Sequence, residues 1–162
     1  EYYEDAYLLF SVPEFTRSLA NNMRSASKVY AVDPAMFGAF SPASALDQGQ
    51  RLETAVFNAL RRRTPAVRIG SVCRLLIKEK SKSHEVDFVA GDALLMRAYS
   101  LIQVSVDMAS EKTREREIAA LDASMAQFDL GESAIVTMDE QADIPCEHGA
   151  VHVVPAWKWL LA

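Results

Sequence analysis

The amino-acid sequence predicts an α/β domain built on a mixed sheet. Strand-length apolar stretches rich in Val and Ile are interleaved with two long stretches of helical period. From Glu53 onward the order reads helix, three strands, helix, two strands, a layered α/β pattern. The 162 residues, 50% hydrophobic and 24% charged, suit one domain with a substantial core.

Each element has its own signal. "AYLLFSV" (6–12) and "KVYAVD" (28–33) read as strands joined by a polar stretch around "RSLANNMRSAS", and Asp33-Pro34 marks a turn. "SPASALDQG" (41–49) is a loop leading into a helix from about Gln48 to Arg63, which Thr64-Pro65 terminates. Val56, Leu60 and either Leu52 or Phe57 form its apolar stripe. Glu53 precedes Val56, Phe57 and Leu60 by three, four and seven residues, so all four share one side of the helix. Its carboxylate either points toward the packed side or sits at the stripe's edge and reaches water. "VCRLLIKE" (72–79), the polar turn "KSKSH" and "EVDFVA" make a hairpin, and "LIQVSVDM" (101–108) is the next strand.

"SEKTREREIAALDASMAQFD" is a helix with Ser110 as N-cap, Glu111 in its first turn, a stripe of Ile118, Leu121, Met125 and Phe128, and Gly131 as its stop. "SAIVTM" (133–138) and "AVHVVP" (150–155) are strands, the second ended by Pro155. "AWKWLLA" docks as a short helix.

Composition narrows the function classes. A formal net charge of −5 argues against indiscriminate polyanion binding but leaves room for a local basic patch. Cys73 and Cys146 match no zinc spacing and no disulfide framework, so a reducing cytoplasm is expected. No apolar run is long enough for a transmembrane helix, so no membrane partner is expected. "EYYEDAYLLF" has neither a basic n-region nor an initiating Met, which suggests a piece of a longer protein rather than a signal peptide. No internal repeat is visible.

The polar residues then need a reason. Strand alternation places Val86, Phe88 and Ala90 on one face and Glu85, Asp87 and Val89 on the other. In the next strand Leu101, Gln103 and Ser105 oppose Ile102, Val104 and Val106. If these strands pair, Asp87 and Gln103 share a face, and the preceding helix adds Glu53. Two carboxylates and an amide oxygen form a hard donor set that suits Mg²⁺ or Mn²⁺ rather than zinc. Glu85 either supports that set or faces solvent at the strand end.

The segments "VYAVDPAM", "DQGQRLETAVFNAL", "HEVDFV", "LIQVSVDM", "REIAAL", "AIVTMDE" and "VVPAWKWLL" span nearly the whole chain. Together, and in this order, they resemble the PD-(D/E)XK nuclease superfamily. More narrowly, they resemble the uncharacterised C-terminal domain that follows the ATPase module of many bacterial and archaeal AAA+ proteins. The resemblance implies a restriction-endonuclease-like mixed β-sheet core of four strands flanked by helices, with residues 1–40 as a strand-containing extension. It implies a metal site at Glu53, Asp87 and Gln103, DNA as substrate, and an ATPase domain upstream in the same polypeptide.

The chain departs from the superfamily in its last motif, which reads Gln103-Val104-Ser105, with serine where a lysine normally offsets charge at the phosphate. Gln103 is also a neutral ligand. The substitute cations to consider are Arg116, matching the "RE" that the family shows after this strand, Arg114 and Lys78. Arg116 and Glu117 could instead form a structural ion pair. Function therefore divides into a Mg²⁺-dependent DNA phosphodiesterase with a substitute cation, a non-catalytic module binding nucleic acid or protein, and a docking or oligomerisation domain.

Other features offer less. Cys146, His148 and His152 lack a fourth ligand, with His148 read as a loop residue and His152 as a strand residue. Arg61, Arg62 and Arg63 either touch phosphate or complement a helix C-terminus. Trp157 and Trp159 do not share a helical face, so one belongs to the core and the other to the surface.

Overall fold

The computed structural model describes residues 2–18, 27–36, 46–64, 71–78 and 83–162. Three elements come first: α1 (Tyr2–Asp5), β1 (Leu9–Val12) and β2 (Lys28–Ala31). The long helix α2 (Leu46–Arg63) leads into β3 (Val72–Lys78), β4 (Ser83–Asp92) and β5 (Arg97–Val104). Helix α3 (Glu111–Phe128), β6 (Glu132–Thr137), β7 (Ala142–Pro145), β8 (Ala150–Pro155) and α4 (Ala156–Leu161) complete the chain. The main sheet has six strands in the order β3-β4-β5-β6-β8-β7. Its first three strands are antiparallel, β5-β6 and β6-β8 are parallel, and β7 returns antiparallel on β8. Strands β1 and β2 form a separate antiparallel pair.

The α/β class with a mixed sheet flanked by helices is therefore what the chain adopts, and its six strands are the five read from the sequence after Glu53 together with β7. Strand β7 carries no hydrophobic alternation: "ADIP" holds an acid and a proline, and it is exposed at the sheet edge, where such residues discourage further pairing. Strand β5 runs over 97–104 rather than 101–108, because "RAYS" continues the hairpin with β4 while Ser105 to Ser110 form the connection to α3.

Helix α2 buries Leu52, Val56, Phe57 and Leu60 together, so both Leu52 and Phe57 belong to its stripe. Helix α3 starts on Ser110, whose hydroxyl accepts the Thr113 N–H at 3.4 Å. It stops at Asp129, in the left-handed conformation at φ 54°, rather than at Gly131. Aspartate is among the few side chains that enter this region readily.

The sheet separates two apolar layers. On the α3 side lie Val86, Val89, Leu101, Leu121, Met125 and Ile135. On the α2 side lie Val56, Phe57, Leu60, Phe88, Ile102 and Val136. The β1–β2 pair belongs to the second layer: Val12 and Tyr30 are buried there, and the Tyr30 ring stacks on Phe57 with centroids 4.7 Å apart. Within the described part of residues 1–40, Val12, Phe15, Tyr30 and Ala31 are buried, whereas α1 buries none of its residues.

One irregularity positions the polar residues. The β3–β4 register passes from Cys73↔Val89 to Leu75↔Val86. Arg74 alone therefore spans two residues of β4, Asp87 and Phe88, and this is a β-bulge. The extra residue breaks strict alternation. Val86 and Val89 enter the α3 layer while Phe88 enters the α2 layer. The expected grouping of Val86 with Phe88 is corrected accordingly.

Phe88 is fully buried among Tyr30, Phe57 and Ile102. Phe88→Ala should cost about 3–5 kcal/mol of stability in urea unfolding, whereas Tyr99→Ala, at an exposed position of β5, should cost less than about 1 kcal/mol.

Candidate functional site

The bulge brings Asp87 to the point where β4 and β5 part. Backbone pairing of these strands ends at Phe88↔Ile102. Beyond it, side chains join them: the Asp87 N–H donates to Gln103 Oε1 at 3.1 Å, and Asp87 Oδ2 accepts the Val104 N–H at 3.0 Å. Asp87 and Gln103 therefore meet as expected. The Gln103 oxygen, however, is committed to the backbone.

The other Asp87 oxygen faces a cation. Lys28, the first residue of β2, places its ammonium 2.9 Å from Asp87 Oδ1 and 2.9 Å from Glu53 Oε1. Glu85 Oε1 lies 3.0 Å away as an ion pair without hydrogen-bond geometry. Tyr30, two residues along β2 and so on the same strand face, donates its hydroxyl to Glu53 Oε1 at 2.5 Å. Glu53, on α2, is neither simply packed nor simply solvated: its side chain is half-buried and fixed by Lys28 and Tyr30. Three carboxylates thus surround one ammonium.

The electrostatics follow from burial and excess negative charge. Burial, then the neighbouring Glu53 charge, pushes the Asp87 carboxyl from its ordinary 3.8 up to about 6, against the opposing pull of Lys28 and the Val104 N–H. For Lys28, burial works against the charged form, but Asp87 and Glu53 outweigh it and hold the ammonium protonated. Burial, followed by the Glu53 charge, raises the Tyr30 phenol so that it remains a donor.

Two openings adjoin this network. A cleft of about 280 Å³ on the α3 side is lined by His84, Glu85, Asp87, Gln103, Arg116 and Glu117. A hollow of about 200 Å³ on the α2 side is lined by Lys28, Tyr30, Gln50, Glu53 and Thr54.

Among the candidate cations, Arg116 lines the cleft and pairs with the buried Glu117 at 2.6 Å, with its own side chain mostly in water. Arg114 is exposed. The Lys78 side chain lies outside the described residues. Ser105 Oγ donates to the Asp107 carbonyl at 2.6 Å. The cation at hydrogen-bonding distance from the carboxylates is Lys28, and Arg74 Nη1 adds a longer ion pair to Glu85 Oε1 at 3.9 Å; neither stands among the cations expected from the sequence. The signal for Lys28 was present in "KVYAVD": strand alternation alone puts Lys28 and Tyr30 on one face.

Glu53, Asp87 and Glu85 gather carboxylate oxygens around the one position that the Lys28 ammonium occupies. Oxygens of this kind are the hard donors that Mg²⁺ or Mn²⁺ takes, while the Gln103 oxygen is engaged by the Asp87 N–H.

Several of the remaining candidates have structural partners. Arg61 stacks over the Phe10 ring at 3.6 Å. Arg63 donates to the Trp159 and Leu160 carbonyls at 2.7 and 3.1 Å and lies over the Trp159 ring. Trp159 packs against the α2 layer and Trp157 is exposed. His152 meets Asp143 at 2.6 Å across β7–β8 instead of joining Cys146 and His148. His148 gathers with Asp122 and Glu147, their ligand atoms within 4.8 Å of one another. Burial drives the Cys73 thiol up to about 12, which removes it as a nucleophile.

No protein-family model, curated protein or solved structure matches the chain. No described helix is long and apolar enough to cross a membrane.

The raised Asp87 carboxyl has a pH signature. The folded state binds this proton more tightly than the unfolded chain, so the Asp87 contribution lowers stability as pH rises from about 4 to about 6 and is constant above that window. In melts across this range, Asp87→Asn should flatten the dependence; an unchanged slope would show that Asp87 does not titrate as described.

Proposed function

We propose that this chain is a metal-dependent phosphodiesterase of nuclease type acting on DNA, with Lys28 supplying the positive charge for which the Gln103-Val104-Ser105 motif has no lysine. The single observation that supports this reading is the convergence of Glu53, Asp87 and Glu85 on the Lys28 ammonium at 2.9, 2.9 and 3.0 Å beside an open polar cleft. In this reading Glu53 and Asp87 hold Mg²⁺ or Mn²⁺, assisted by Glu85. Such an ion supplies polarisation of a phosphoryl oxygen and a lowered pKa for a bound water. The chain's own groups do the rest. Lys28 offsets charge developing at the phosphate. The Tyr30 hydroxyl orients Glu53, and Gln103 with the Val104 N–H orients Asp87. Arg116, at the cleft, takes a flanking phosphate of the strand as a positioning contact. A restriction-endonuclease-like relationship and an upstream ATPase domain in the same polypeptide accompany this reading on the strength of the sequence resemblance, and a cytoplasmic setting accompanies it on the strength of the cysteine usage.

A second reading has its own support. Because Lys28 already neutralises the carboxylates and the Gln103 oxygen is engaged, the same fold suits a non-catalytic module that binds nucleic acid or protein.

Plasmid nicking with Mn²⁺ separates the two. Wild type should nick, Asp87→Asn should lose activity by roughly two to three orders of magnitude, and Lys28→Ala by about 100-fold. Equal nicking by wild type and Asp87→Asn would overturn the phosphodiesterase reading. DNA retention without any nicking would favour the binding module.

A further inference from the structure

The position of Lys28 has a consequence for how any metal enters. Its ammonium occupies the centre of the three-carboxylate set, and a divalent ion bound by the same oxygens would lie within a few ångströms of it. Two cations cannot share that position without strong repulsion. Lys28 sits on the β1–β2 pair, outside the main sheet, and its side chain is 30% exposed. It also lines the α2-side hollow of about 200 Å³, together with Gln50 and Thr54. The ammonium therefore has adjacent space, lined in part by polar side chains. Glu85 Oε1 is shielded from water and makes no hydrogen bond, and it is balanced by ion pairs with the Lys28 ammonium at 3.0 Å and with Arg74 Nη1 at 3.9 Å.

We propose that Lys28 is an exchangeable counter-ion, which holds Glu53, Asp87 and Glu85 together while the site lacks metal and swings toward the α2-side hollow when a divalent cation takes the carboxylates. The inference rests on the reading that these carboxylates take a divalent ion. It does not require cleavage of DNA. The exchange makes intrinsic metal affinity weaker than the donor set alone would give.

The test uses metal alone, without nucleic acid. In isothermal titration with Mn²⁺, Lys28→Met should bind at least about tenfold more tightly than wild type, and adding Asp87→Asn to Lys28→Met should abolish that binding. Affinity equal to or weaker than wild type would overturn the exchange. A measurement on the wild type guards against a variant that fails to fold. With lysines labelled at Cε, the Lys28 resonance should shift saturably as diamagnetic Mg²⁺ is added, while other lysines stay in place. An unmoved Lys28 resonance at saturating Mg²⁺ would overturn the proposal even if nicking were observed. Exchange without nicking would leave it standing and remove the phosphodiesterase reading instead.

Discussion

The contact on which the site depends is the Lys28 ammonium set among Glu53, Asp87 and Glu85. These groups come from β2, α2 and β4, elements far apart in the chain. Without a cation, three neighbouring carboxylates, one of them almost wholly buried, would repel one another and be driven toward protonation. With it, the N-terminal strand pair is tied by charge to the same layer in which Tyr30 stacks on Phe57 and touches Phe88. Apolar packing and the ion cluster therefore support each other: the stacked ring aligns β2, and β2 delivers the lysine.

The bulge in β4 is the second constraint. Regular alternation would set Asp87 and Phe88 on opposite faces. The extra residue opposite Arg74 lets Phe88 fill the α2 layer while Asp87 stands in the gap between β4 and β5. There its two oxygens serve different purposes, one joining the strands through Val104 and the other meeting Lys28. An irregular ladder at a site of this kind is a common way to re-aim a side chain. The cost is a lost stretch of backbone pairing, which Gln103 and Asp87 offset with side-chain hydrogen bonds. Gln103 is thus a structural partner of Asp87, and a shorter side chain at this position would leave the Asp87 N–H without its acceptor.

Much of this arrangement was legible in the residues. The helical stripe around Val56 and Leu60, the hairpin ending in "EVDFVA" and the strand carrying Gln103 all follow from local period and breaker residues. So did the meeting of Asp87 with Gln103, because antiparallel neighbours with matched polar positions face each other. The basic run Arg61 to Arg63 shows the opposite case. Its charges left two roles open, contact with phosphate or complement to a helix C-terminus, and in the structure Arg61 covers Phe10 while Arg63 donates to the Trp159 and Leu160 carbonyls of α4. Nothing local distinguishes a guanidinium that stacks on a distant ring from one that awaits a ligand.

The class of fold, most of the strand and helix order and the acidic residues worth attention follow from local signals, because hydrophobic period and turn chemistry act over a few residues. Which cation answers those acids is a matter of long-range packing. Arg116 is near in sequence to the strand bearing Gln103 but keeps its charge largely in water beside Glu117, whereas Lys28 reaches Glu53 from 25 residues upstream and Asp87 from 59. That choice depends on where the β1–β2 pair docks and on a one-residue bulge, and both are set by packing between distant segments.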